Sequence, residues 1–549
     1  MMKTSEKDEH ALPVKGIEVG LLWSLPFNAQ IRDVIYDYID YIKGFEDKII
    51  DSWPIQRLRY ILQLQTAHFV YPSATHTRFN HSLGVMYFSY KYLNQLLRTI
   101  DAESASTNKQ LNELLKHARE ASIAVRILGL LHDIGHGPFS HAFDQYVLKN
   151  PEYLGYRFGN HEVMGYLIYR DYLRGLIEKA LREYNDVLGI DVEYILDLLD
   201  EAMKPPTNMI NYTDLVSKGI LGPEDFFAPR PENAVHTIVR LIVRDYVYTS
   251  DIIDYLKRDS YYTKLPLGNI NEEWLIRNTY LVNYHSLLIP AISSKAIDDL
   301  VRLLNARKMM YKNVYLHHVN LAFSETIGVL LKCIKPYISN IINKMVEEGR
   351  LDLYMSLTDN SIYGLLQMIK TWGDIGNLCP DCRELARQSL ENLFIYRKPA
   401  WKKLDVFPVN MNTAKHIFSR RFGDTLQREI KKAIKREIAY GLKSKGFTEE
   451  DVNVVITSIN IFPSAAKEIV KEILIVRLKD DKPISWDEVS LDKFAAKYGL
   501  IPEALFIVYL NRAKYHQLTE SELNKARDIV KEVLRDAIGG ELREAPETS

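Results

Sequence analysis

The chain has 549 residues, of which 47% are hydrophobic and 26% charged, a composition typical of a folded globular protein with more than one compact unit. Its 70 basic residues nearly balance its 71 acidic residues, so the net charge of -1 gives no overall attraction to nucleic acid or to anionic membranes. Three cysteines are too few for a disulfide scaffold, and with no long apolar run or secretory signal we expect a soluble cytoplasmic protein.

The sequence predicts a mainly α fold with a smaller C-terminal α/β module. Residues 14–23 are rich in β-branched and apolar side chains and predict a short strand. Apolar residues at three- and four-residue spacings predict helices over about 55–64 and 81–97. A third helix, over 121–133, is apolar nearly all round and therefore central in a helical bundle. The polar residues 101–110 between the last two helices predict a loop.

Further along, loops are predicted where Pro, Gly and Asn collect, at 149–160, 204–208 and 222–233. After about residue 400 the pattern changes to a basic helix, two β-rich runs and a charged tail helix, at 425–443, 451–462, 473–478 and 521–538. The basic helix has acidic residues nearby, which favours a solvated or interface face over nucleic-acid binding. These patterns predict an N-terminal segment, a catalytic core, a helical extension and a small α/β module with tail helices, over 1–50, 51–335, 336–445 and 446–549.

Residues 128–144, LGLLHDIGHGPFSHAFD, place three histidines and two aspartates at the end of the apolar third helix. His132 and His136 share a helix face if the helix persists, and Asp133 is adjacent to the first of them. Two glycines and a proline then break the helix and let the backbone fold closely around a bound group. A neutral imidazole beside a carboxylate suits iron, manganese, zinc or nickel, and magnesium less well. The alternative is a histidine that only satisfies a hydrogen bond in the core.

The two segments THTRFNHSLGV (75–85) and LLHDIGHGPFSHAFD (130–144) resemble the HD-domain superfamily of phosphohydrolases. Within it, they are most similar to the deoxynucleoside triphosphate triphosphohydrolases. The likeness runs from about residue 56 to 140 and resumes at three later positions, Asn160, Asp251 and Arg307. The sterile-alpha-motif domain of some members is not expected before the HD region.

The resemblance implies four metal ligands: His81, His132, Asp133 and Asp251. Two imidazoles and two carboxylates leave coordination positions open for water and for a phosphate oxygen. It implies one divalent ion per site (Mn, Fe, Zn, Ni or Mg), with a second magnesium ion as a further expectation beside the nucleotide phosphates. Read alone, the four-residue spacing of Asp251, Tyr255 and Asp259 would also fit a solvated helix face.

By the same resemblance, His161 is the acid that protonates the departing oxygen, Asp144 orients it and raises its pKa, and His141 assists. The resemblance also implies contacts to the deoxyribose from Gln63, Leu64, Tyr255, Asp259 and Tyr315. Contacts to phosphate are implied for Arg78, His136 and Arg307, and a guanidinium suits phosphate through paired charge-assisted hydrogen bonds. Without the family, His161 is an ordinary histidine at a helix start.

Three positions depart from the family pattern. Ile252 replaces a phosphate-binding lysine, and Tyr311 and His318 replace basic residues near the distal phosphates. The run DVIYDYI at 33–39 also replaces the family's allosteric nucleotide motif, although Gln56 and Arg59 persist. These departures favour, as an alternative to triphosphate release, a nucleotidase or phosphodiesterase.

The sequence thus predicts a metal-dependent phosphohydrolase that converts deoxynucleoside triphosphates to deoxynucleoside and inorganic triphosphate. A regulatory protein that binds nucleotides with little turnover is the alternative from another class. The expected partners are the nucleotide substrate, an allosteric nucleotide and further copies of the chain in a dimer or tetramer, but neither nucleic acid nor membrane. Cys379 and Cys382 form a CPDC unit, which fits half of a zinc site completed by Cys333 and a distant histidine, a pair of free thiols, or a local redox pair.

Overall fold

A computed structural model of the chain describes residues 24–206, 213–228, 234–409, 423–459, 461–462, 470–479, 482–500 and 502–538. The strand predicted over residues 14–23 lies outside these ranges, as do parts of the loops predicted over 204–208 and 222–233. Within the described residues, no helix combines the length and the apolar character that crossing a bilayer requires.

The described chain is mainly α-helical, which confirms the predicted fold class. In chain order the helices before residue 270 are α1 (Glu46–Ile50), α2 (Trp53–Arg57), α3 (Arg78–Arg98), α4 (Ala102–Thr107), α5 (Lys109–Lys116), α6 (Ala118–Leu131), α7 (His141–Phe143), α8 (Pro151–Leu154), α9 (His161–Ile168), α10 (Arg174–Leu188), α11 (Val192–Met203), α12 (Thr213–Ser217), α13 (Ala234–Val243) and α14 (Ser250–Thr263). The later helices are α15 (Glu272–Arg277), α16 (Ile297–Met310), α17 (His318–Cys333), α18 (Lys335–Glu348), α19 (Leu351–Met355), α20 (Asp359–Trp372), α21 (Ile375–Leu378), α22 (Arg383–Glu391), α23 (Gly423–Gly441), α24 (Leu491–Lys497), α25 (Arg512–Tyr515) and α26 (Glu520–Ile538).

Two of the early elements differ from the prediction. The first predicted helix stops at Arg57, followed by a 3-10 turn, because Leu62 forms a β-bridge with Thr77 instead of continuing the helix. Residues 101–110, predicted as a loop, form α4 and the start of α5. Their polar residues act as helix caps: the Asp101 carboxylate accepts a hydrogen bond from the backbone amide of Ser104 at the start of α4, and Asn108 caps α5.

Within the described ranges the strands form three small sheets, two antiparallel and one mixed. In chain order they are β1 (Ala29–Asp33), β2 (Asp37–Tyr41), β3 (Thr279–Tyr284), β4 (Leu287–Ser293), β5 (Trp401–Val409), β6 (Val452–Ile459), β7 (Glu472–Lys479), β8 (Lys482–Ser490) and β9 (Glu503–Asn511). The sheet orders are β1-β2, β3-β4-β7-β8 and β5-β9-β6. Strands β6 and β7 confirm the two β-rich runs. The pairing of β4 with β7 is parallel, with Ile292 opposite Ile475, so the C-terminal part of the chain completes a sheet begun in the first 300 residues.

In the part of the chain that the structure describes, buried apolar residues form two main cores. The larger one surrounds α3 and α6 and takes in residues from β7 and α24, whereas the other lies between the β5-β9-β6 sheet and helices α23 and α26. Ile430, Ile434 and Ile438 line one face of α23 in this second core at four-residue spacings. The predicted domain boundaries stay a prediction, but the C-terminal segment contributes to both cores.

Helices α3 and α6 are closely packed at Gly129. A Cβ atom at this position would lie 2.9 Å from the backbone nitrogen of Met86 and 2.9 Å from the carbonyl oxygen of Val85. Only glycine lets the two backbones approach this closely. The contact matters for the site because α3 carries His81 and α6 leads directly into His132.

Candidate metal centre and adjoining histidine cluster

The four residues predicted as metal ligands come together from three helices. His81 lies on α3, His132 caps the end of α6 and is followed by Asp133, and Asp251 lies in the first turn of α14. His81 Nε2 is 3.2 Å from His132 Nε2 and 3.1 Å from Asp251 Oδ1. Asp133 Oδ1 is 3.5 Å from His132 Nε2. The side chains of His81, His132 and Asp133 are nearly buried. The Asp251 side chain is 30% exposed, so solvent reaches the group from its side.

The hydrogen bonds of the two imidazoles orient their free nitrogens. His81 Nδ1 donates to Asp254 Oδ2 at 2.7 Å, and His132 Nδ1 donates to the carbonyl oxygen of Gly129 at 2.7 Å. In the neutral tautomers each Nε2 then carries a lone pair, and these lone pairs face each other. Two lone pairs at 3.2 Å repel unless a proton or a metal ion lies between them, so this donor set fits a divalent metal ion.

The pKa of His81 also indicates a site that favours a bound cation. Burial lowers the pKa of His81, but its hydrogen bonds to Asp251 and Asp254 outweigh burial and raise the pKa to about 10. The surrounding carboxylates therefore stabilise a positive charge here, which a metal ion supplies when it replaces the proton. Imidazole nitrogens with carboxylate oxygens match the borderline divalent metals named above.

A buried ion-pair chain behind His81 was not predicted from the sequence. Asp254 Oδ2 accepts a hydrogen bond from Arg258 Nε at 2.9 Å, and Arg258 Nη1 donates to Asp33 Oδ2 at 2.8 Å. Asp254 and Arg258 are completely buried, and the guanidinium holds the pKa of Asp254 well below its usual range despite burial. Asp254 therefore stays ionised and fixes the His81 ring. Its spacing of three residues from Asp251 was the available signal.

A second cluster lies around His161, at the start of α9. His161 Nδ1 donates to Asp144 Oδ2 at 2.6 Å, and the His161 backbone amide donates to Asp144 Oδ1 at 3.1 Å. Burial lowers the pKa of His161, but the Asp144 carboxylate outweighs burial and the pKa is raised. His141 Nδ1 is 3.7 Å from Asp144 Oδ2, and its side chain is 63% exposed. The three predicted residues are thus adjacent.

His136 connects the two clusters. Its Nε2 lies 3.5 Å from Asp133 Oδ1, and its ring stacks on that of His161 with the centroids 3.7 Å apart. Gly135 makes this contact possible, because a Cβ atom there would lie 1.9 Å from the carbonyl oxygen of His161. The glycine thus serves the close approach of α9, whereas the sequence suggested that it lets the backbone fold around a bound group.

Four of the predicted substrate residues form a third group beside α14. Tyr315 Oη donates to Asp259 Oδ2 at 2.6 Å, and the Tyr255 and Tyr315 rings are 6.3 Å apart. Arg307 contacts the Tyr255 hydroxyl and donates to Tyr311 Oη at 3.3 Å. His76, which the sequence did not single out, holds Asp259 from the other side, its Nε2 lying 2.7 Å from Asp259 Oδ1.

Several polar atoms of the predicted substrate residues are buried without a partner in the part of the chain that the structure describes. They are Gln63 Oε1, His136 Nδ1 and Arg307 Nε. A buried polar atom without a hydrogen bond is costly, so these atoms mark where a polar ligand would be stabilised. Leu64 is nearly buried. Arg78, in contrast, already contacts Asp133 Oδ2 and donates to Ser140 Oγ at 2.8 Å.

Asp359, at the start of α20, is a further residue that sequence reasoning missed. Its Oδ1 accepts a hydrogen bond from the Phe139 amide at 2.6 Å, and its Oδ2 accepts one from the Leu62 amide at 2.9 Å. Phe139 and Ser140 both have left-handed backbone conformations, with φ of 58° and 52°. Asp359 thus fixes the turn that follows the HD motif to the segment that leads into Gln63. Burial, opposed by these two amides, raises its pKa to about 6.

The three positions that depart from the family pattern have different surroundings. Ile252 is 2% exposed and belongs to the large apolar core. Tyr311 accepts the hydrogen bond from Arg307. Burial, with Lys403 and other nearby cations, lowers the pKa of His318 to about 4, so this imidazole is neutral at pH 7.

Comparison with known proteins shows which proteins the chain is similar to. Residues 78–210 match the family model of the HD domain, so the chain contains an HD domain, as its sequence predicted. It is 31% identical to the deoxynucleoside triphosphate triphosphohydrolase SAMHD1 homolog of Dictyostelium discoideum over 53% of this chain and 46% of that protein. It is 26% identical to the deoxynucleoside triphosphate triphosphohydrolase SAMHD1 of Homo sapiens over 67% of this chain and 54% of that protein.

A third relative is the putative HD domain-containing protein L394 of Acanthamoeba polyphaga mimivirus, 27% identical over 60% of this chain and 63% of that protein. The matched segments thus span about half to two thirds of the length of these relatives. Three of the four predicted metal ligands, His81, His132 and Asp133, fall within the HD-domain match, whereas Asp251 lies outside it.

Proposed function

We propose that this protein is a metal-dependent phosphohydrolase that converts deoxynucleoside triphosphates to deoxynucleoside and inorganic triphosphate. One observation carries the proposal: a donor set suited to a metal ion lies directly beside a protonatable histidine, with His136 in contact with both Asp133 and His161. Hydrolysis of a phosphate ester needs activated water and an acid for the leaving oxygen. A protein that only binds nucleotides needs no acid.

His81, His132, Asp133 and Asp251 would hold the metal ion. A divalent ion bound there lowers the pKa of a water molecule and offsets charge on the phosphate. Asp254 and the Gly129 carbonyl keep the two imidazoles in the tautomer with a free Nε2. The exposed side of Asp251 leaves room for solvent and a phosphate oxygen to enter.

His161 would supply the proton to the departing sugar oxygen. Because Nδ1 is bound to Asp144, the proton on Nε2 is the one available for donation. The raised pKa of His161 keeps it protonated at a higher pH than an ordinary histidine. His141, near the same carboxylate and more exposed, would assist in restoring that proton from solvent.

The remaining predicted contacts would select the nucleotide. Tyr315, Tyr255 and Asp259 form a connected polar and aromatic group suited to a deoxyribose, and Gln63 and Leu64 would contact the same sugar. Arg307 and His136 have unpaired buried nitrogens suited to phosphate oxygens. Arg78 would contact phosphate through the part of its guanidinium not used by Asp133 and Ser140.

A nucleotidase or phosphodiesterase is the second candidate, and a specific observation favours it. The buried Ile252 stands where the family pattern has a phosphate-binding lysine, and His318, which replaces a basic residue, is neutral at pH 7. Two cations for the distal phosphates are therefore absent at these positions. Cleavage at a metal-bound phosphate does not depend on either residue. A nucleotide-responsive regulatory protein is the third, and complete lack of turnover would favour it.

The test is an incubation with manganese and a panel of deoxynucleoside tri-, di- and monophosphates, analysed for free nucleoside and for the released phosphate chain. We expect release of triphosphate. Release of monophosphate alone would support the nucleotidase, and no turnover of any nucleotide would contradict the enzyme. The Asp251→Asn variant should be inactive, whereas the control His285→Ala, which changes an exposed histidine of the β3-β4 turn, should retain activity.

We also propose that the protein forms a dimer or tetramer and binds a second, allosteric nucleotide. In the segment where the family's allosteric site is expected, Arg59 Nε donates to Gln56 Oε1 at 2.8 Å. Light scattering after size exclusion measures the assembly, and a monomer with and without nucleotide would contradict it. A thermal-shift titration should show two binding events, and a single event would exclude the second site.

A further inference from the structure

The three cysteines of the chain converge at one buried place outside the candidate metal centre. Cys333 ends α17, and Cys379 and Cys382 flank the turn between α21 and α22. The three sulfur atoms all lie within 4.8 Å of one another. Cys379 and Cys382 form a disulfide, and Cys333 is a free thiol that donates to the carbonyl oxygen of Val329 at 3.2 Å. The position of the free Cys333 thiol beside this disulfide is the feature to be explained.

A structural zinc site explains the cluster poorly. Such sites are almost always completed by four protein ligands. In the described part of the chain, no histidine or carboxylate joins the three sulfurs at ligand distance. The sequence-based hypothesis of a distant histidine as the fourth ligand therefore has no support in the described residues.

The Cys379–Cys382 disulfide adds little to the stability of the fold, so stability does not explain the cluster either. It joins residues separated by three positions, and a disulfide that closes so short a loop restricts the unfolded chain only slightly. A bond from Cys333 to Cys379 or Cys382 would instead close a loop of several tens of residues and fix α17 to the turn before α22. Such a bond restricts the unfolded chain far more.

We propose that Cys333, Cys379 and Cys382 form a thiol–disulfide exchange site in which Cys333 resolves the Cys379–Cys382 disulfide. The Cys333 thiolate attacks one of the two sulfurs, the Cys379–Cys382 bond breaks, and a bond from Cys333 forms. The leaving sulfur takes up the proton that Cys333 released, so the exchange is redox-neutral and needs no further reagent. The site thereby exchanges a local crosslink for one that joins two helical segments.

The state of Cys333 sets the timescale of the test. Burial raises the pKa of the Cys333 thiol to about 12, with Lys332 opposing this shift. The thiol is therefore protonated at neutral pH, and exchange through its thiolate is slow. Incubation has to last hours, and an acid quench before alkylation has to prevent exchange during the analysis.

The experiment maps the disulfides of the full chain by peptide mass spectrometry after long incubation, acid quench and alkylation without reduction. We expect label on Cys333 in one population and on Cys379 or Cys382 in another. Two variants make the outcome independent of the equilibrium position: after mild oxidation with diamide, Cys382→Ser should contain a Cys333–Cys379 bond and Cys379→Ser a Cys333–Cys382 bond. Cys333→Ser is the control, with the Cys379–Cys382 bond alone.

Thermal unfolding gives a second readout. Oxidised Cys382→Ser should unfold at a higher temperature than its reduced form, whereas reduction should change the wild-type midpoint much less when only the Cys379–Cys382 bond is present. Label confined to Cys333 in the wild type, together with no Cys333 bond in either variant, would overturn the proposal. Stoichiometric zinc bound by the three thiols in the purified protein would overturn it as well.

Discussion

The Phe139 amide donates a hydrogen bond of 2.6 Å to the Asp359 carboxylate across 220 positions of the chain. The same carboxylate accepts from the Leu62 amide, so one buried side chain fixes two segments that border the proposed substrate site. Ser140, next to Phe139, in turn accepts from Arg78 and donates to the carbonyl oxygen of Leu62. The orientation of Arg78 therefore depends on Asp359.

The first prediction concerns this carboxylate. The Asp359→Asn variant should be less stable by about 1–3 kcal/mol, because an amide nitrogen cannot accept and one buried backbone N–H loses its partner. Its turnover should fall as well, since the turn at Phe139 and Ser140 is no longer fixed. Denaturant unfolding and steady-state kinetics measure the two effects. The control is Asp528→Asn, an exposed carboxylate on α26, and a wild-type stability for Asp359→Asn would contradict the prediction.

The second prediction concerns the orientation of His81. Replacing Asp254 by asparagine removes the ionised acceptor of His81 Nδ1, and metal affinity should fall by about 10–100-fold. Calorimetric titration with manganese measures the affinity. The chain offers a matched control in Asp197, whose carboxylate is 2.8 Å from His236 Nε2 but is 68% exposed. Equal manganese affinity of Asp254→Asn and Asp197→Asn would show that Asp254 does not orient a ligand.

The third prediction concerns pH. His161 must be protonated to act as an acid, so the rate should decrease as the pH rises through its pKa. Asp144 raises that pKa, and Asp144→Asn should therefore move the decreasing limb of the profile to lower pH. His161→Gln should lose about 10²–10⁴-fold in rate and keep its bound metal. An unchanged alkaline limb in Asp144→Asn would exclude His161 as the acid.

The fourth prediction concerns the phosphate chain. Arg307→Gln removes a guanidinium that lies between Tyr255 and Tyr311, and kcat/KM for triphosphates should fall by about tenfold or more. The loss should be much smaller for monophosphates, which do not reach the distal position. Kinetics on the two substrate classes give the comparison, and the exposed Arg302 of the same helix provides the control Arg302→Gln. An equal loss for both classes would place Arg307 elsewhere than at the distal phosphates.

The sequence led to the candidate site in two ways: a local motif indicated part of it, and the family resemblance implied His81, Asp251 and His161. His132 and Asp133 are adjacent, and the apolar helix before them marks a buried position for polar residues. Asp359 and Asp33 could not be found in this way. Their partners are distant in the chain, and neither residue belongs to a recognisable sequence motif.

The fold shows the same division between local and distant information. Helices α3 and α6 follow from their apolar periodicity, whereas the polar residues around Asp101 and Asn108 suggested a loop although they cap two helices. The hairpin of β3 and β4 was also missed, as was the short parallel pairing of β4 with β7, which lies far along the chain. Pairings of this kind depend on tertiary contacts that no local pattern records.

The absence of a side chain at Gly129 has a consequence for how this centre can vary. The close contact of the α3 and α6 backbones at Gly129, one turn before His132, contributes to the separation of the two imidazoles. An alanine at this position would wedge the helices apart and widen the gap between the two nitrogens while every ligand remained in the sequence. A side chain at Gly129 would therefore alter the proposed metal site without the loss of any predicted ligand.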